Sequence, residues 1–215
     1  MRIAGIDEAG KGPVIGPLVI CGVCVSGNQN SLLERMGVKD SKKLTPEKRI
    51  KIAKEIKNIA DVYLIKIHPP QLDKLMNRKT INEIILENCV KIINNLSPDL
   101  VYIDCPHVNP KKFESILKTL TKSEVIASHK ADEKYPIVAA ASILAKVERD
   151  REIEKIKMEI NENFGSGYPH DEKTIAFLKR IIKKGNKLPW FVRKKWKTIS
   201  NLSQKDLLSF GSHKE

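Results

Sequence analysis

The chain has 215 residues, 41% of them hydrophobic, which suits one folded domain with a terminal extension better than two complete domains. No apolar run approaches the roughly 18 residues that a membrane span requires, and the N-terminus enters MRIAGIDEAG without a charged leader or an apolar targeting core, so a cytosolic protein without membrane association is expected. Lys and Arg number 39 against 26 Asp and Glu, a net charge of +13 that favours a polyanionic partner.

Residues 2–7 and 13–25 read as two apolar, β-branched strands separated by a turn around Gly10 and Gly12, the pattern of a hairpin. Residues 46–60 look helical, 63–67 alternate like a strand, 80–96 carry helical spacing, and 99–104 form a buried strand. A helix is expected after Pro110, a short strand over 124–128, and a long helix opened by Pro136 that runs through the alanine-rich stretch to the charged MEI. Strands alternating with helices mean an α/β fold with a mixed sheet flanked by helices. From about Gly165 the pattern changes to glycine, proline and basic helices, which divides the chain into residues 1–165 and a basic helical extension with a tail peptide over 166–215.

Cys21 and Cys24 are spaced C-x-x-C, yet they lie in the strand-like run VICGVCV, where positions three apart face opposite sides. With Cys89 and Cys105 they are expected to be small core side chains in a reducing compartment rather than a zinc or redox site. Acidic residues are more informative. Asp7 and Glu8 end the apolar run RIAGI, Asp104 ends LVYI, and Asp132 sits in HKADEKYP just before the long helix. Carboxylates gathered at strand tips repel one another and take up protons unless a cation compensates them, and their hard oxygens suit Mg²⁺ or Mn²⁺. Two such ions about 3.5–4 Å apart can stabilise the attacking and leaving oxygens of a phosphodiester displacement; capping of neighbouring helices is the other role open to each acid. One geometric difficulty is that adjacent residues of a regular strand point to opposite faces, so the strand is expected to twist or end at Asp7 and Glu8.

The positive charge is concentrated. From Lys173 to Lys197 there are ten basic residues and no acidic one, interleaved with Trp190, Phe191 and Trp196. Such a strip suits a nucleic-acid backbone, although a solvated helix face has the same composition. His107, His129 and His170 read as loop or surface histidines, and His68 and His213 offer nothing more specific.

The blocks IDEAGKGPVIGPLV, DSKKLT, VYIDCP, HKADEKYPIVAAASILAKVERDREI and GSGYP, in this order, resemble ribonuclease HII, the type 2 ribonuclease H, in its archaeal form, over about residues 1–200. The resemblance implies a ribonuclease H-like fold with a helical C-terminal part, and Asp7, Glu8, Asp104 and Asp132 as the metal-binding catalytic set. It implies an endonuclease that cuts the RNA strand of RNA–DNA hybrids, and single ribonucleotides embedded in duplex DNA, leaving 3′-hydroxyl and 5′-phosphate ends with two Mg²⁺ or Mn²⁺ ions. Gly10, Lys11 and Gly12 correspond to the segment that contacts the sugar 2′-hydroxyl, in which many relatives carry arginine at the middle position; lysine removes the planar fork and leaves the backbone groups. Read from the residues alone, that segment is equally a hairpin turn.

Tyr168 corresponds to the tyrosine that packs on the sugar at an RNA-to-DNA step, and Lys42 with Lys43 to a phosphate-contacting segment. A noncatalytic hybrid-binding factor, or another nuclease on the same fold such as a junction resolvase, are the competing functions. The tail residues Gln204, Leu207 and Phe210 resemble the peptide that binds the DNA sliding clamp, with Leu207 and Phe210 on one side of a helical turn. A terminal helix packing on its own body would use the same two side chains. A monomer is expected.

Overall fold

The computed structural model describes the backbone of residues 1–38, 44–185 and 187–211, and the side chains of these apart from Asn28 and residues 205–211. Its elements in chain order are β1 (Arg2–Ala9), β2 (Leu18–Ser26), α1 (Asn30–Arg35), α2 (Pro46–Ile59), β3 (Asp61–Ile67), α3 (Pro69–Leu75), α4 (Ile81–Leu96), β4 (Leu100–Asp104), α5 (Pro110–Leu120), β5 (Glu124–Ser128), α6 (Ala131–Lys134), α7 (Pro136–Ile160), α8 (Glu172–Lys183) and α9 (Lys197–Gly211). No helix among the described residues is long and apolar enough to cross a membrane. The chain divides into two compact units, each drawn from several stretches: Met1–Ala9, Val19–Lys66 and Lys79–Glu148 in the first, and Gly10–Leu18, Ile67–Arg78 and Arg149–Glu215 in the second.

The first unit is the expected mixed α/β sheet, with five strands in the order β3-β2-β1-β4-β5. β1 and β2 are antiparallel, while β1, β4 and β5 run parallel, so the carboxyl ends of these three lie together at one edge. Two glycines set the layers. A Cβ at Gly5 would run into the backbone of Ile137 and Val138 at the start of α7, and one at Gly22 would strike Ile92 and Leu96 of α4. Because Gly5 pairs with Val23 and Ile6 with Gly22, these glycines lie on opposite faces, so α7 and α4 pack on opposite sides of the sheet. Ala139, Ala140, Ala141 and Ala145 of α7 are fully buried, the small side chains letting the helix lie close to the strands. Caps fix the helix starts: Thr80 and Glu83 form a reciprocal capping box on α4, Thr45 caps α2, and Asn109 caps α5 ahead of Pro110.

The second unit is built around Val14, Ile15, Ile153, Ile156, Phe164, Phe177, Phe191 and Val192. The expectation of a strand over 13–25 is corrected here. β2 begins at Leu18, and the Gly10–Pro17 segment leaves the ladder because Gly16 takes φ +89 and Pro17 has no N–H to pair. The N–H groups of Val14 and Ile15 instead donate to the Gly167 carbonyl, and Ile15 makes an isolated bridge with Val192. Apolar composition at 13–17 thus reports burial in this core rather than sheet pairing. α1, α3 and α6 add to the elements expected from the sequence; α3 starts at Pro69, a residue compatible with the first helical turn as well as with a loop.

Candidate active site

Asp7, Glu8 and Asp104 lie at the carboxyl edge of the first unit's parallel strands. The last β1–β4 pair is Ile6↔Ile103, so Asp7 and Asp104 occupy the next position on neighbouring strands, where the pairing between those two strands has stopped. Of the two outcomes expected at Asp7 and Glu8, a twist or an end of the strand, an end does not occur. β1 continues to Ala9 against β2, where Asp7 pairs with Cys21 and Glu8 with Ile20. The opposite-face difficulty is therefore resolved by position: Asp7 takes a hydrogen bond from Ser142 of α7, on the face of Gly5, whereas the charge of Glu8 acts on buried Cys89 of α4. Both carboxyls are still close enough to repel across the strand tip.

Asp7 is 6% exposed. Burial, then the negative charges of Glu8 and Asp104, hold its carboxyl well above the usual carboxylate range, opposed by the Ser142 hydroxyl and the Glu8 N–H. That N–H lies 2.7 Å from Asp7 Oδ1. Asp104 is half-buried and its Oδ1 accepts from the Ala131 N–H at 2.9 Å, tethering the first residue of α6 to the end of β4. Asp132, next in α6, is 7% exposed. The sequence pattern predicts a turn at this point, and the structure has a short helix instead, entered through Lys130 at φ +54.

Among the described residues, no three His, Cys, Asp or Glu side chains form a group able to hold a metal ion by themselves. The donor set nevertheless fits a magnesium-type ion, which dehydrates reluctantly and is ordinarily held by one or two carboxylates, waters and substrate phosphates. Buried, mutually repelling carboxylates are the electrostatic condition that a bound cation relieves. The cysteines are free and buried, and burial pushes the Cys21 and Cys89 thiols up, so neither offers a thiolate to a metal.

The second unit assembles the other candidates. Gly10 follows Glu8 by two residues and takes φ +86; Gly12 is exposed, and a Cβ there would lie 3.8 Å from Cε1 of the Tyr168 ring. The structure thus brings the Gly10–Lys11–Gly12 segment and Tyr168 together. The guanidinium of Arg149, 5% exposed, lies 4.8 Å from the centroid of the Tyr168 ring and donates to the Ser166 carbonyl at 2.7 Å. Asp171 ties down the same loop: one carboxylate oxygen accepts from both the N–H and the hydroxyl of Ser166 at 2.6 Å, and the other accepts from the Lys173 N–H of α8. Thr174 completes it, accepting from the Gly167 N–H and donating to the Phe164 carbonyl.

Arg193 and Trp196 depart from expectation. Both belong to the strip expected to face a polyanion, yet Arg193 is fully buried and donates to the carbonyls of Gly10, Lys11 and Gly16, while Trp196 donates to that of Gly12. Burial, reinforced by Arg149 nearby, pushes the Arg193 guanidinium down to about 9, so it remains charged at neutral pH. Phe191 likewise belongs to the core at 2% exposure. Lys183, Lys184, Lys187, Lys194, Lys195 and Lys197 are exposed and keep the strip's charge at the surface. No signal in the sequence separates Arg193 from these neighbours.

Lys42 and Lys43 lie outside the described residues, as do the side chains of Leu207 and Phe210; Gln204 is exposed on α9, whose backbone includes all three tail positions. The His107 ring accepts from the Asn109 N–H and His129 lies against the Cys105 carbonyl, loop roles in keeping with the sequence reading.

Comparison with known proteins meets this geometry. Residues 4–199 match the family model of ribonuclease HII. A ribonuclease HII of Archaeoglobus fulgidus is 51% identical over 207 residues, covering 96% of this chain and 99% of the relative. Two solved structures are similar in fold: the PCNA:RNase HII complex from Archaeoglobus fulgidus, with TM-score 0.87, 49% identity and coverage of 92% and 96%, and ribonuclease H2 from Pyrococcus horikoshii, with TM-score 0.89, 43% identity and coverage of 95% and 98%. With the ribonuclease H-like sheet, the acids at its carboxyl edge and a family match spanning nearly the whole length, the chain belongs to the ribonuclease HII family of endonucleolytic hydrolases.

Proposed function

We propose that the protein cleaves the RNA strand of RNA–DNA hybrids, and single ribonucleotides embedded in duplex DNA, on the 5′ side of a ribonucleotide. Asp7, Glu8, Asp104 and Asp132 hold the required Mg²⁺ or Mn²⁺, with Asp7, Glu8 and Asp104 as the main ligands and Asp132 tuning the second position or assisting release of the leaving oxygen. The observation that carries this reading is the proximity of Asp7 and Asp104, each one residue past the last β1–β4 pair, where burial and neighbouring charges penalise an uncompensated carboxylate. When bound, two divalent ions supply the charge that activates water and stabilises the departing oxygen. A water oxygen forms a bond to phosphorus as the bond to the 3′ oxygen breaks, leaving a 3′-hydroxyl upstream and a 5′-phosphate downstream.

Substrate choice is assigned to the second unit. The carbonyls of Gly10, Lys11 and Gly12 accept from Arg193 and Trp196, which fixes the backbone of a segment suited to contact the 2′-hydroxyl of a ribose. Tyr168, half-buried beside Gly12 with its ring held near Arg149, gives a flat surface for the adjoining sugar. A DNA sliding clamp is proposed as partner through Gln204, Leu207 and Phe210, the last two at the i, i+3 spacing of a helical turn and Gln204 a polar contact upstream; the complex solved for the Archaeoglobus relative supports this.

The test is a labelled DNA duplex holding one ribonucleotide, with and without Mg²⁺ or Mn²⁺, beside a hybrid with a long RNA run. Metal-dependent cuts 5′ to the ribonucleotide support the reading, and a protein that binds without cutting would return it to a hybrid-binding role. Tyr168→Ala is expected to lose more activity on the single ribonucleotide than on the long run; equal losses make Tyr168 a loop anchor only.

A further inference from the structure

Every carbonyl of the Gly10–Lys11–Gly12 segment is engaged by a side chain from Arg193 or Trp196. Arg193 Nη2 donates to Gly10 O at 2.6 Å, Nη1 to Lys11 O at 3.3 Å, and Nε to Gly16 O at 2.8 Å. Trp196 Nε1 donates to Gly12 O at 3.2 Å. The two side chains also support each other, the guanidinium carbon lying 4.6 Å from the centroid of the Trp196 ring. The short segment between them is fixed from its own backbone, because the Asp73 carboxylate accepts from the N–H groups of Lys194 at 3.0 Å and Lys195 at 3.2 Å.

Burying a guanidinium completely is costly, and the cost is offset here by charge-assisted bonds to carbonyls that converge from two turns of one loop. The planar fork matters. A single ammonium cannot span three acceptors set around a plane, so lysine is no substitute at this position. Gly10, at φ +86, adds a conformation in which a side chain would be strained and would meet the Pro17 carbonyl and Arg149.

We propose that Arg193 and Trp196 are positioning residues that set the ribose-reading conformation of the Gly10–Lys11–Gly12 segment, making sugar discrimination depend on the C-terminal stretch of the chain. The inference rests on the reading of that segment as the ribose contact. With its carbonyls drawn onto a buried fork and an indole donor, the segment's backbone is held in one conformation, and displacement of a recognition element by about 1 Å is enough to cost about a hundredfold.

The experiment uses the full chain with Mg²⁺ and measures steady-state cleavage of a duplex carrying one ribonucleotide, with an all-DNA duplex of the same sequence as competitive inhibitor. Wild type, Arg193→Lys and Trp196→Phe are compared, the last keeping an aromatic ring over Arg193 and removing only the donor to Gly12. The expected result is a rise in KM for the ribonucleotide duplex, about tenfold in R193K and about fivefold in W196F, with the inhibition constant of the DNA duplex unchanged. If KM and the inhibition constant rise together, the residues serve general binding or stability and the proposal is overturned; unchanged KM in W196F overturns it as well, even where R193K fails to fold. A wild type whose inhibition constant for DNA equals its KM would instead remove the ribose-reading role of the segment, and the proposal with it.

Discussion

Replacing Thr174 with Val isolates one buried knot. Thr174 is fully buried in the first turn of α8, where its hydroxyl accepts from the Gly167 N–H at 3.0 Å and donates to the Phe164 carbonyl at 2.8 Å. Valine fills nearly the same volume but leaves both backbone groups unpaired in a site without solvent, and each such group costs about 1–3 kcal/mol. The sum is roughly 2–6 kcal/mol, of which the added methyl recovers less than about 1 kcal/mol, a net loss of about 1–6 kcal/mol. For a chain of 215 residues that corresponds to a fall of roughly 2–24 °C in unfolding midpoint. Thr174→Ser keeps the hydroxyl, loses one buried methyl, and is expected to cost about 1 kcal/mol. Thermal and urea unfolding of the two variants beside wild type give the difference directly. A valine variant as stable as the serine variant would mean that Gly167 and Phe164 pair elsewhere, and that Thr174 does not hold the loop carrying Tyr168.

Gly5→Ala drives a Cβ into the backbone of Ile137 and Val138, so α7 must shift on the sheet; a loss of about 1–3 kcal/mol or more in urea unfolding is expected, and an unchanged midpoint would contradict the packing described. The Ser166 hydroxyl and N–H hold the Asp171 carboxyl down at about 2, below its ordinary 3.8. A carboxyl depressed on folding contributes stability that is present above 3.8 and lost as pH falls toward about 2, so Asp171→Asn should flatten the acid side of the stability curve in that window, and an unaltered curve would count against the link. Neutralising Lys187, Lys194 and Lys195, all exposed, should weaken binding to every duplex sequence alike and lower the salt slope by about 0.9 for each phosphate that is no longer neutralised; an unchanged slope places the strip away from the duplex.

The sheet was legible where periodicity is local. The strands expected over 63–67, 99–104 and 124–128 and the helix opened by Pro136 are present because each buries a face that its own residues announce. The placement of Asp7, Glu8 and Asp104 was legible for a related reason, since a carboxylate near the tip of a buried run stands against its surroundings. Val14 and Ile15 misled because their burial comes from Phe164 and Phe191, far along the chain, rather than from a neighbouring strand. Arg193 was illegible in the same way: a basic residue among basic residues acquires its role from carbonyls near residue 10, and charge pattern alone assigns it to solvent. Its burial is a product of tertiary packing, and so is the restraint of Tyr168 by Arg149 and Asp171.

The proximity of Asp7 and Asp104, each one residue past the last β1–β4 pair, is the centre of the account, and Asp7→Asn and Asp104→Asn test it. Each substitution keeps size and removes one charge from the proposed ligand set while leaving the second unit intact. Cleavage of an RNA–DNA hybrid in Mg²⁺ should fall by more than about a hundredfold in both variants, the upper end of what losing even a residue behind a metal ligand costs. Hybrid affinity, measured in parallel, should be retained. Substantial turnover by either variant would contradict the assignment of these acids to the reaction.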